Sequence, residues 1–325
     1  MRTKKALLNA LLGTALLAAG GVAQAQSWPE RPGKVLLGTG PGTIPDLVTR
    51  MVAERMGRAF GKPFVVENLV GGGGMGAAQA AARSAPDGYT FFTAGIGFIA
   101  TDRYMFKSVP YDTDRDFTQV ALLYDSAPFA IAVRPDTPVK NVAELIALAK
   151  AQPGKLSYGA DSVGATAIIG EWFNKVAGVQ IAAIPYKSVA QMLSDALSGQ
   201  TQVVFNTVAN MDNFRKAGKL RVIGVSSARR LPFLDDIPAI SETLPGFRMV
   251  GVGIMAAPAG TPAAIIQRVN REVDAMEREP EYINLLQSFG ITSSGAGTPQ
   301  SIAEFIRAER ENWDRVMKGL DVQPQ

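Results

Sequence analysis

The chain has 325 residues, of which 33 are Lys or Arg and 29 are Asp or Glu, and it contains neither His nor Cys. The missing Cys excludes disulfides, thiolate metal ligands and a Cys nucleophile. The missing His excludes a Ser-His-Asp triad and imidazole metal ligands. Hydrophobic residues make up 47% of the chain, which indicates a globular protein, and its length predicts about two domains.

Residues 1–25 have the organisation of a secretory signal. A basic start with Arg2, Lys4 and Lys5 precedes an apolar run over 6–19, and Ala23-Gln24-Ala25 gives a small-residue cleavage pattern. An uncleaved membrane anchor is the alternative, but the run is short for a bilayer. Cleavage after Ala25 would reduce the net charge from +4 to +1. We therefore expect a soluble periplasmic protein without affinity for nucleic acid, since no basic cluster with interleaved aromatic residues occurs.

Short apolar runs alternate with segments of helical periodicity along the rest of the chain. Strands are predicted at 35–37, 64–66, 89–93, 119–124, 129–133, 156–159, 181–185, 202–205, 221–225 and 249–255. Helices are predicted at 47–60, 77–82, 141–152, 165–176, 189–197, 262–276, 281–289 and 299–317. This alternation predicts parallel sheets with helices on both faces, where ligands bind beyond the carboxyl ends of the strands.

The loop after the first strand, residues 38–46, is rich in glycine and leads into a helix. Glycine allows the backbone to approach a ligand closely, and the free N–H groups of a helix start favour an anion. Gly42, Thr43 and Ile44 are therefore candidate anion donors. Asp46 lies at the helix start, where capping is a more common role than direct ligand contact.

Residues 71–76 satisfy the dinucleotide pattern G-x-G-x-x-G when read literally. The acidic residue expected about 20 positions later is missing, because that region reads Tyr89-Thr90-Phe91-Phe92. A structural turn is therefore a better interpretation than a dinucleotide site.

Two further strand-to-helix loops contain polar candidates. Ala160 to Gly164 resembles a degenerate nucleophile elbow around Ser162, but the chain has no His and no S-x-x-K pattern to supply a base. Ser162 is thus expected to donate a hydrogen bond or to form a turn. In the other loop, Tyr186 offers a hydroxyl and Lys187 a charge, and Lys187 fits a solvated surface position equally well.

Six motifs together resemble the Bug family, the substrate-binding proteins of tripartite tricarboxylate transporters. They occur in the family's order and cover the whole mature chain: Ala85–Thr90, Val109–Asp112, Ala149–Leu156, Ile184–Lys187, Ala217–Arg221 and Ala257–Pro262.

The resemblance implies an α/β type II periplasmic binding protein fold, in which two α/β lobes close on a small organic acid in the cleft between them. Lobe 1 would comprise residues 26–124 plus 248–325, and lobe 2 residues 125–247. Backbone N–H groups and ordered waters would hold the carboxylate, without covalent chemistry, metal or cofactor. The protein would act as a monomer and deliver its ligand to a membrane permease.

The ligand-binding residues expected from the loops and from the resemblance are Gly42, Thr43, Ile44, Asp46, Gly97, Phe98, Ile99, Ser162, Val163, Gly164, Ala165, Thr166, Tyr186, Lys187 and Asn206. At several of these positions the chain departs from the family: Thr43 and Ser188 replace glycines, and Asn206 replaces a frequent Asp. Phe98, Ile99 and Tyr186 are expected to line the body of the pocket. The family often has small hydroxyl residues and a His in the segment 95–99 and a His at position 167, where this chain has apolar residues. These apolar replacements favour a carboxylate with an apolar or aromatic body.

Three other functions remain open from the sequence. The same closure could signal to a membrane sensor kinase, a secreted hydrolase could use Ser162, and a dinucleotide enzyme could use residues 71–76. The missing His disfavours the hydrolase, and the weak glycine pattern disfavours the dinucleotide enzyme.

Overall fold

The computed structural model describes residues 28–161, 165–320, 322 and 324. The predicted signal segment 1–25 and the loop residues Ser162, Val163 and Gly164 lie outside the described residues. The strands are β1 (Gly33–Leu37), β2 (Phe64–Asn68), β3 (Thr90–Ala94), β4 (Phe117–Val133), β5 (Ser157–Asp161), β6 (Ala182–Tyr186), β7 (Val203–Thr207), β8 (Arg221–Val225) and β9 (Val250–Pro258). The helices are α1 (Ile44–Phe60), α2 (Met75–Ala82), α3 (Asp102–Met105), α4 (Val142–Ala151), α5 (Ala165–Ala177), α6 (Val189–Ser198), α7 (Val208–Lys216), α8 (Ala263–Glu277), α9 (Pro280–Ser288) and α10 (Pro299–Leu320).

The strands form two α/β lobes that share β4, and β9 pairs with β4 where it passes between them. In lobe 1 the strand order is β2-β1-β3-β9-β4, and in lobe 2 it is β4-β7-β5-β6, with β8 on the other side of β4. The strands β1 to β3 are parallel to each other, as are β5 to β7, whereas β4 and β9 run antiparallel to their neighbours. The sheets are therefore mixed, which corrects the prediction of purely parallel sheets.

The strand β4 also corrects the two separate strands predicted at 119–124 and 129–133. It is one strand of 17 residues that passes from lobe 1 into lobe 2. The polar stretch from Asp125 to Pro128 stays extended, and Ala127 and Pro128 pair with Gly251 and Val250 of β9. Register shifts on both sides of Tyr124 accommodate this stretch, because a bulge lets a strand bend and tolerates proline.

The helix α7 and the helical segment after β3 are absent from the predicted set. The helix α7 is short and mostly polar, so its sequence gives little amphipathic signal, and Thr207 caps it by accepting a hydrogen bond from the Asn210 N–H. After β3, residues Gly97–Thr101 form a turn of π-helix that leads directly into α3. Turns of this kind are frequent at functional sites.

The strand directions place the carboxyl ends of the two lobes opposite each other. Because β3 and β4 both run antiparallel to β9, β4 leaves lobe 1 in the direction of β1 and β3. Since β7 is antiparallel to β4 and parallel to β5, the strands β5 to β7 point back toward lobe 1. The loops that follow both sets of strands thus face one another across the 124–128 segment.

The helix α10 connects the lobes a second time. The Arg310 Nε donates to the carbonyl oxygen of Ile99 in lobe 1, 2.8 Å away, while the main chain at Gly319 packs against the Trp172 ring of α5. None of the helices in the described part of the chain is both long enough and apolar enough to cross a membrane.

Candidate functional site

Strand pairing aligns the predicted binding loops in two facing rows. In lobe 1, Asn68 and Thr93 both pair with Leu37, so the ends of β2, β1 and β3 lie side by side. In lobe 2, Asp161 pairs with Tyr186, and the pairing of Tyr158 with Val203 brings Asn206 into the same row. The cleft between the rows is the candidate site, and the predicted residues within the described part of the chain lie on or beside loops at its two walls.

The first loop, residues 39–43, is held by its own hydrogen bonds. The Gly42 N–H donates to Asp46 Oδ2 at 2.9 Å, with Gly42 at a φ of 78°. The Thr43 hydroxyl donates to the Gly40 carbonyl oxygen at 2.8 Å. The Gly42 N–H is therefore engaged within the chain, and the role of Gly42 as a ligand-binding residue stays a prediction.

Two main-chain donors remain at the start of α1. The Leu47 N–H makes the first bond of the helix, to the Thr43 carbonyl oxygen, and Pro45 has no N–H. Within the described residues, the N–H groups of Ile44 and Asp46 have no acceptor, as helix geometry dictates for a first turn. These two groups and the positive end of the helix dipole can bind an anion.

Asp46 is buried, with 1% of the residue exposed, and its side chain is fully engaged. Its carboxylate accepts hydrogen bonds from the Gly42 N–H, from Nε and Nη2 of Arg50 and from Nδ2 of Asn68. Burial by itself raises the pKa of Asp46, but the hydrogen bonds from Arg50, Asn68 and Gly42 outweigh it and lower the pKa to about 2. The carboxylate of Asp46 is thus ionised, and it holds the loop in place through its bond to the Gly42 N–H.

Phe98 and Ile99 belong to the core of lobe 1. The Phe98 ring contacts the rings of Phe92, Tyr111 and Phe117 at centroid distances of 5.2, 5.3 and 4.9 Å. Only 7% of Phe98 and 3% of Ile99 are exposed. A π-helical turn thus directs most of both side chains into the core, where they also border a small cavity, and their lining of the ligand pocket stays a prediction.

Asp102, which the sequence pattern did not single out, lies beneath Gly97. A Cβ on Gly97 would be 2.6 Å from Asp102 Oδ1, so the glycine allows this approach. The Tyr111 hydroxyl donates to Asp102 Oδ2 at 2.6 Å, and burial raises the pKa of Asp102 despite this bond. A cavity of about 230 Å³ adjoins this pair and reaches Arg310.

Asp161 caps α5 in lobe 2. Its Oδ1 accepts from the Thr166 hydroxyl at 2.6 Å and from the Ala167 N–H at 3.2 Å. The Thr166 hydroxyl is thus occupied by the chain itself, and Ala165 is half-buried at the helix start. Sequence reasoning missed Asp161, although an Asp shortly before a helix is a recognisable capping signal.

The remaining predicted residues of lobe 2 lie at or beside strand ends: Tyr186 ends β6, Lys187 follows it, and Asn206 is next to the last residue of β7. The Tyr186 hydroxyl donates to Asp195 Oδ2 at 2.6 Å, and this bond, with some burial, raises the pKa of Tyr186 to about 12. Asn206 is buried, and its Oδ1 accepts from the Thr207 N–H and from Asn210 Nδ2. Lys187 is exposed, so its cation faces solvent at the mouth of the cleft.

The described residues hold no group of three acidic side chains placed to bind a metal ion. The arrangement instead offers helix starts from both lobes: α1 on one side, and α5, α6 and α7 on the other. Helix N-termini attract carboxylates without covalent chemistry.

The comparisons with known proteins agree with this geometry. Residues 48–322 match the family model TctC, the tripartite tricarboxylate transporter family receptor. A UPF0065 protein of Bordetella bronchiseptica is 33% identical over 309 residues, which cover 93% of this chain and 89% of the relative.

Two solved structures resemble this chain over nearly its whole length. Rpa4515 of Rhodopseudomonas palustris with adipate has a TM-score of 0.77 and 31% identity, covering 92% of this chain and 100% of that one. MatC of the same organism with bound malate has a TM-score of 0.72 and 25% identity, covering 89% of this chain and 100% of that one. The chain therefore belongs to the tripartite tricarboxylate transporter receptor family, the periplasmic solute-binding proteins that its sequence motifs resemble.

Proposed function

We propose that the protein captures a small organic carboxylate between its lobes and delivers it to a membrane permease of the tripartite tricarboxylate type. The facing helix starts support this function most directly, because α1 in lobe 1 has two free main-chain donors and the helix starts of lobe 2 face it across the cleft. Closure of the lobes would then enclose the ligand, as in hinge-bending binding proteins.

We further propose that the ligand is a dicarboxylate with an apolar aliphatic chain, the class to which adipate belongs. Two carboxylates would match the positive ends of helices on two facing walls. Half-buried apolar residues lie near these helix starts: Ile96 after β3 in lobe 1, and Ala165 and Ala167 in the first turn of α5 in lobe 2. Because Phe98 and Ile99 are packed in the core, an aromatic body has less support than an aliphatic chain.

The cellular setting belongs to the same proposal. Cleavage after Ala25 would release residues 26–325 into the periplasm, where the protein would act as a monomer. The passage of β4 and β9 between the lobes supports boundaries near 124 and 248, with lobe 1 at 26–124 plus 248–325 and lobe 2 at 125–247.

Thermal unfolding of residues 26–325 against a ligand panel tests the proposal. The panel contains adipate, malate, benzoate, an amino acid and NAD. A true ligand at a hundredfold excess over its Kd should add about 2.7 kcal/mol of stability. We expect the largest shift with adipate. A shift with benzoate alone would favour the aromatic class, and no shift with any acid would refute carboxylate capture.

Removal of a single main-chain donor tests whether the ligand binds at the start of α1. Ile44→Pro deletes the Ile44 N–H at the first position of α1, where proline is tolerated, and Thr43 before it is already extended at φ −74° and ψ 158°. We expect adipate affinity to fall at least tenfold, since a hydrogen bond to a charged group contributes about 1.5–3 kcal/mol. Ile44→Ala keeps the N–H and is the control. Equal affinities of the two variants would exclude this donor.

A further inference from the structure

The anion donors of the first loop lie in the same helical turn as a buried carboxylate. The N–H groups of Ile44 and Asp46 are the free donors, and the Asp46 side chain accepts from the Gly42 N–H four residues earlier. Like charges a few ångströms apart in a poorly solvated site repel each other strongly. A ligand carboxylate at this turn therefore needs the charge of Asp46 to be compensated.

Arg50 supplies that compensation. Its Nε and Nη2 donate to the two carboxylate oxygens of Asp46, each at 2.9 Å, in the two-pronged geometry that suits a guanidinium. Nη2 also donates to Asn68 Oδ1 at 3.1 Å, and Asn68 Nδ2 donates to Asp46 Oδ1 and to the Thr39 carbonyl oxygen, both at 2.8 Å. The network thus fixes the loop at Thr39 and Gly42 while its net charge is zero.

The same helix, α1, contains another ion pair with which the Arg50–Asp46 pair can be compared. Arg58 and Glu54 form a second ion pair four residues apart on α1, but both side chains are exposed, at 62% and 66%. The Asp46 side chain is 2% exposed, and its pair with Arg50 reaches the loop. Of these two pairs, only the Arg50 pair is placed to influence an anion at the helix start.

We propose that Arg50 is the residue that allows this loop to accept an anion, because it neutralises the carboxylate that shapes the loop. This role rests on the proposed function. Arg50 is a positioning and specificity-determining residue that acts through Asp46, since its guanidinium is directed to that side chain and to Asn68.

Loss of Arg50 should leave a pH signature. Within the described part of the chain, Arg50 is the one charged residue that shifts the pKa of Asp46; Asn68 of β2 and the Gly42 N–H are uncharged. The other ion-paired charges of these elements have partners of their own: Lys34 pairs with Glu67, Arg58 with Glu54, and Arg55 with Glu272 and Glu279. Without Arg50 the pKa of Asp46 rises, so acidification protonates Asp46 and removes the repulsion.

The test is calorimetric binding of adipate between pH 7.5 and 5. Affinities are expressed relative to wild type at each pH, so that protonation of adipate itself cancels. We expect Arg50→Gln to bind at least tenfold more weakly at pH 7.5 and to recover most of that loss at pH 5. The double variant Asp46→Asn with Arg50→Gln should bind within about threefold of wild type at pH 7.5, and Arg58→Gln should match wild type.

Two results would overturn the proposal. The first is an unchanged adipate affinity of Arg50→Gln. The second is a double variant that binds adipate as weakly as Arg50→Gln at pH 7.5, which would indicate a purely structural role of Arg50. If adipate fails to bind wild type, the proposed ligand class fails while the Arg50 role is still tested. The same variants are then titrated with sulfate as a generic anion. Equal sulfate binding by wild type and Arg50→Gln, or none by wild type, would overturn the proposal.

Discussion

Glu277 is a buried carboxylate beside the segment that pairs with the lobe crossing. Its Oε2 accepts from the Ser293 hydroxyl, next to Thr292, whose main chain bonds to Ser126 of β4. Its other oxygen, Oε1, is buried without a partner among the described residues. Burial raises the pKa of Glu277 to about 8, and nearby acidic side chains add to the shift.

We predict that Glu277 makes stability fall as pH rises from about 4.5 to about 8. In this window the folded state binds a proton that the unfolded state has lost, so the free energy of unfolding decreases with pH. Glu277→Gln keeps an acceptor for Ser293 and stays neutral. It should therefore be more stable than wild type at pH 9 and similar at pH 4.5.

Urea unfolding at pH 4.5, 7 and 9 measures this difference. Glu281→Gln, at an exposed position of α9, controls for the loss of one carboxylate. If Glu277→Gln gained no stability over wild type between pH 4.5 and 9, Glu277 would have to be ionised in the folded protein.

At this scale the sequence identified loop positions better than side-chain roles. Gly42 lies in the loop after β1, Asp46 in the first turn of α1, and Tyr186 is the last residue of β6. Which donors are free depends on bonds made across the loop, such as Gly42 to Asp46 and Tyr186 to Asp195. Those partners are chosen by tertiary packing, which residue types alone do not specify.

The glycine run 71–74 acts as a structural turn that supports the first loop. All four residues have positive φ, from 53° to 125°, which is favourable only for glycine over so many successive positions. Gly74 lies directly against Gly38 at the end of β1, where a Cβ on Gly38 would be 2.4 Å from the Gly74 Cα. The interpretation of this motif as a turn is consistent with that contact.

We predict opposite effects for two alanine substitutions in this region. Gly38→Ala should destabilise the protein by about 1–3 kcal/mol, because the new methyl group meets main chain that cannot move aside cheaply. Gly76→Ala, inside α2 with nothing within 4 Å of its Cβ position, should stabilise it by about 0.5–1 kcal/mol. Urea unfolding of both variants gives the comparison, and equal stabilities would contradict it.

Most elements were predictable because their hydrophobic patterns agree with their burial. The β1, β8 and α5 segments, for example, match the predicted runs to within a few residues. The continuous β4 and the polar α7 were not, since the first depends on pairing with a distant strand and the second on its cap. Local pattern therefore identified the units of the fold, whereas the crossing between lobes required long-range pairing.

At the scale of the whole molecule, two crossing strands and one helix constrain how the lobes can move. The register shifts of β4 around Tyr124 offer a place to bend, and Thr292 holds Asp125 and Ser126 from the side. On α10, Arg310 anchors the helix to lobe 1, while Gly319 contacts lobe 2 through Trp172. We infer that closure rotates the lobes about the crossing and slides the last turn of α10 along α5.

Distance measurement between two spin labels can test this closure. The chain has no cysteine, so Val70→Cys and Gln191→Cys would introduce two unique label sites. Both positions are exposed and lie near the facing carboxyl edges, Val70 after β2 and Gln191 in the first turn of α6. We expect adipate to shorten and narrow the distance distribution, since a ligand held by both lobes favours the closed state.

A second pair within lobe 2, Lys140→Cys with Gln191→Cys, should not respond. Adipate binding with an unchanged 70–191 distance would mean that capture does not require closure, and the facing helix starts would then act at a fixed separation.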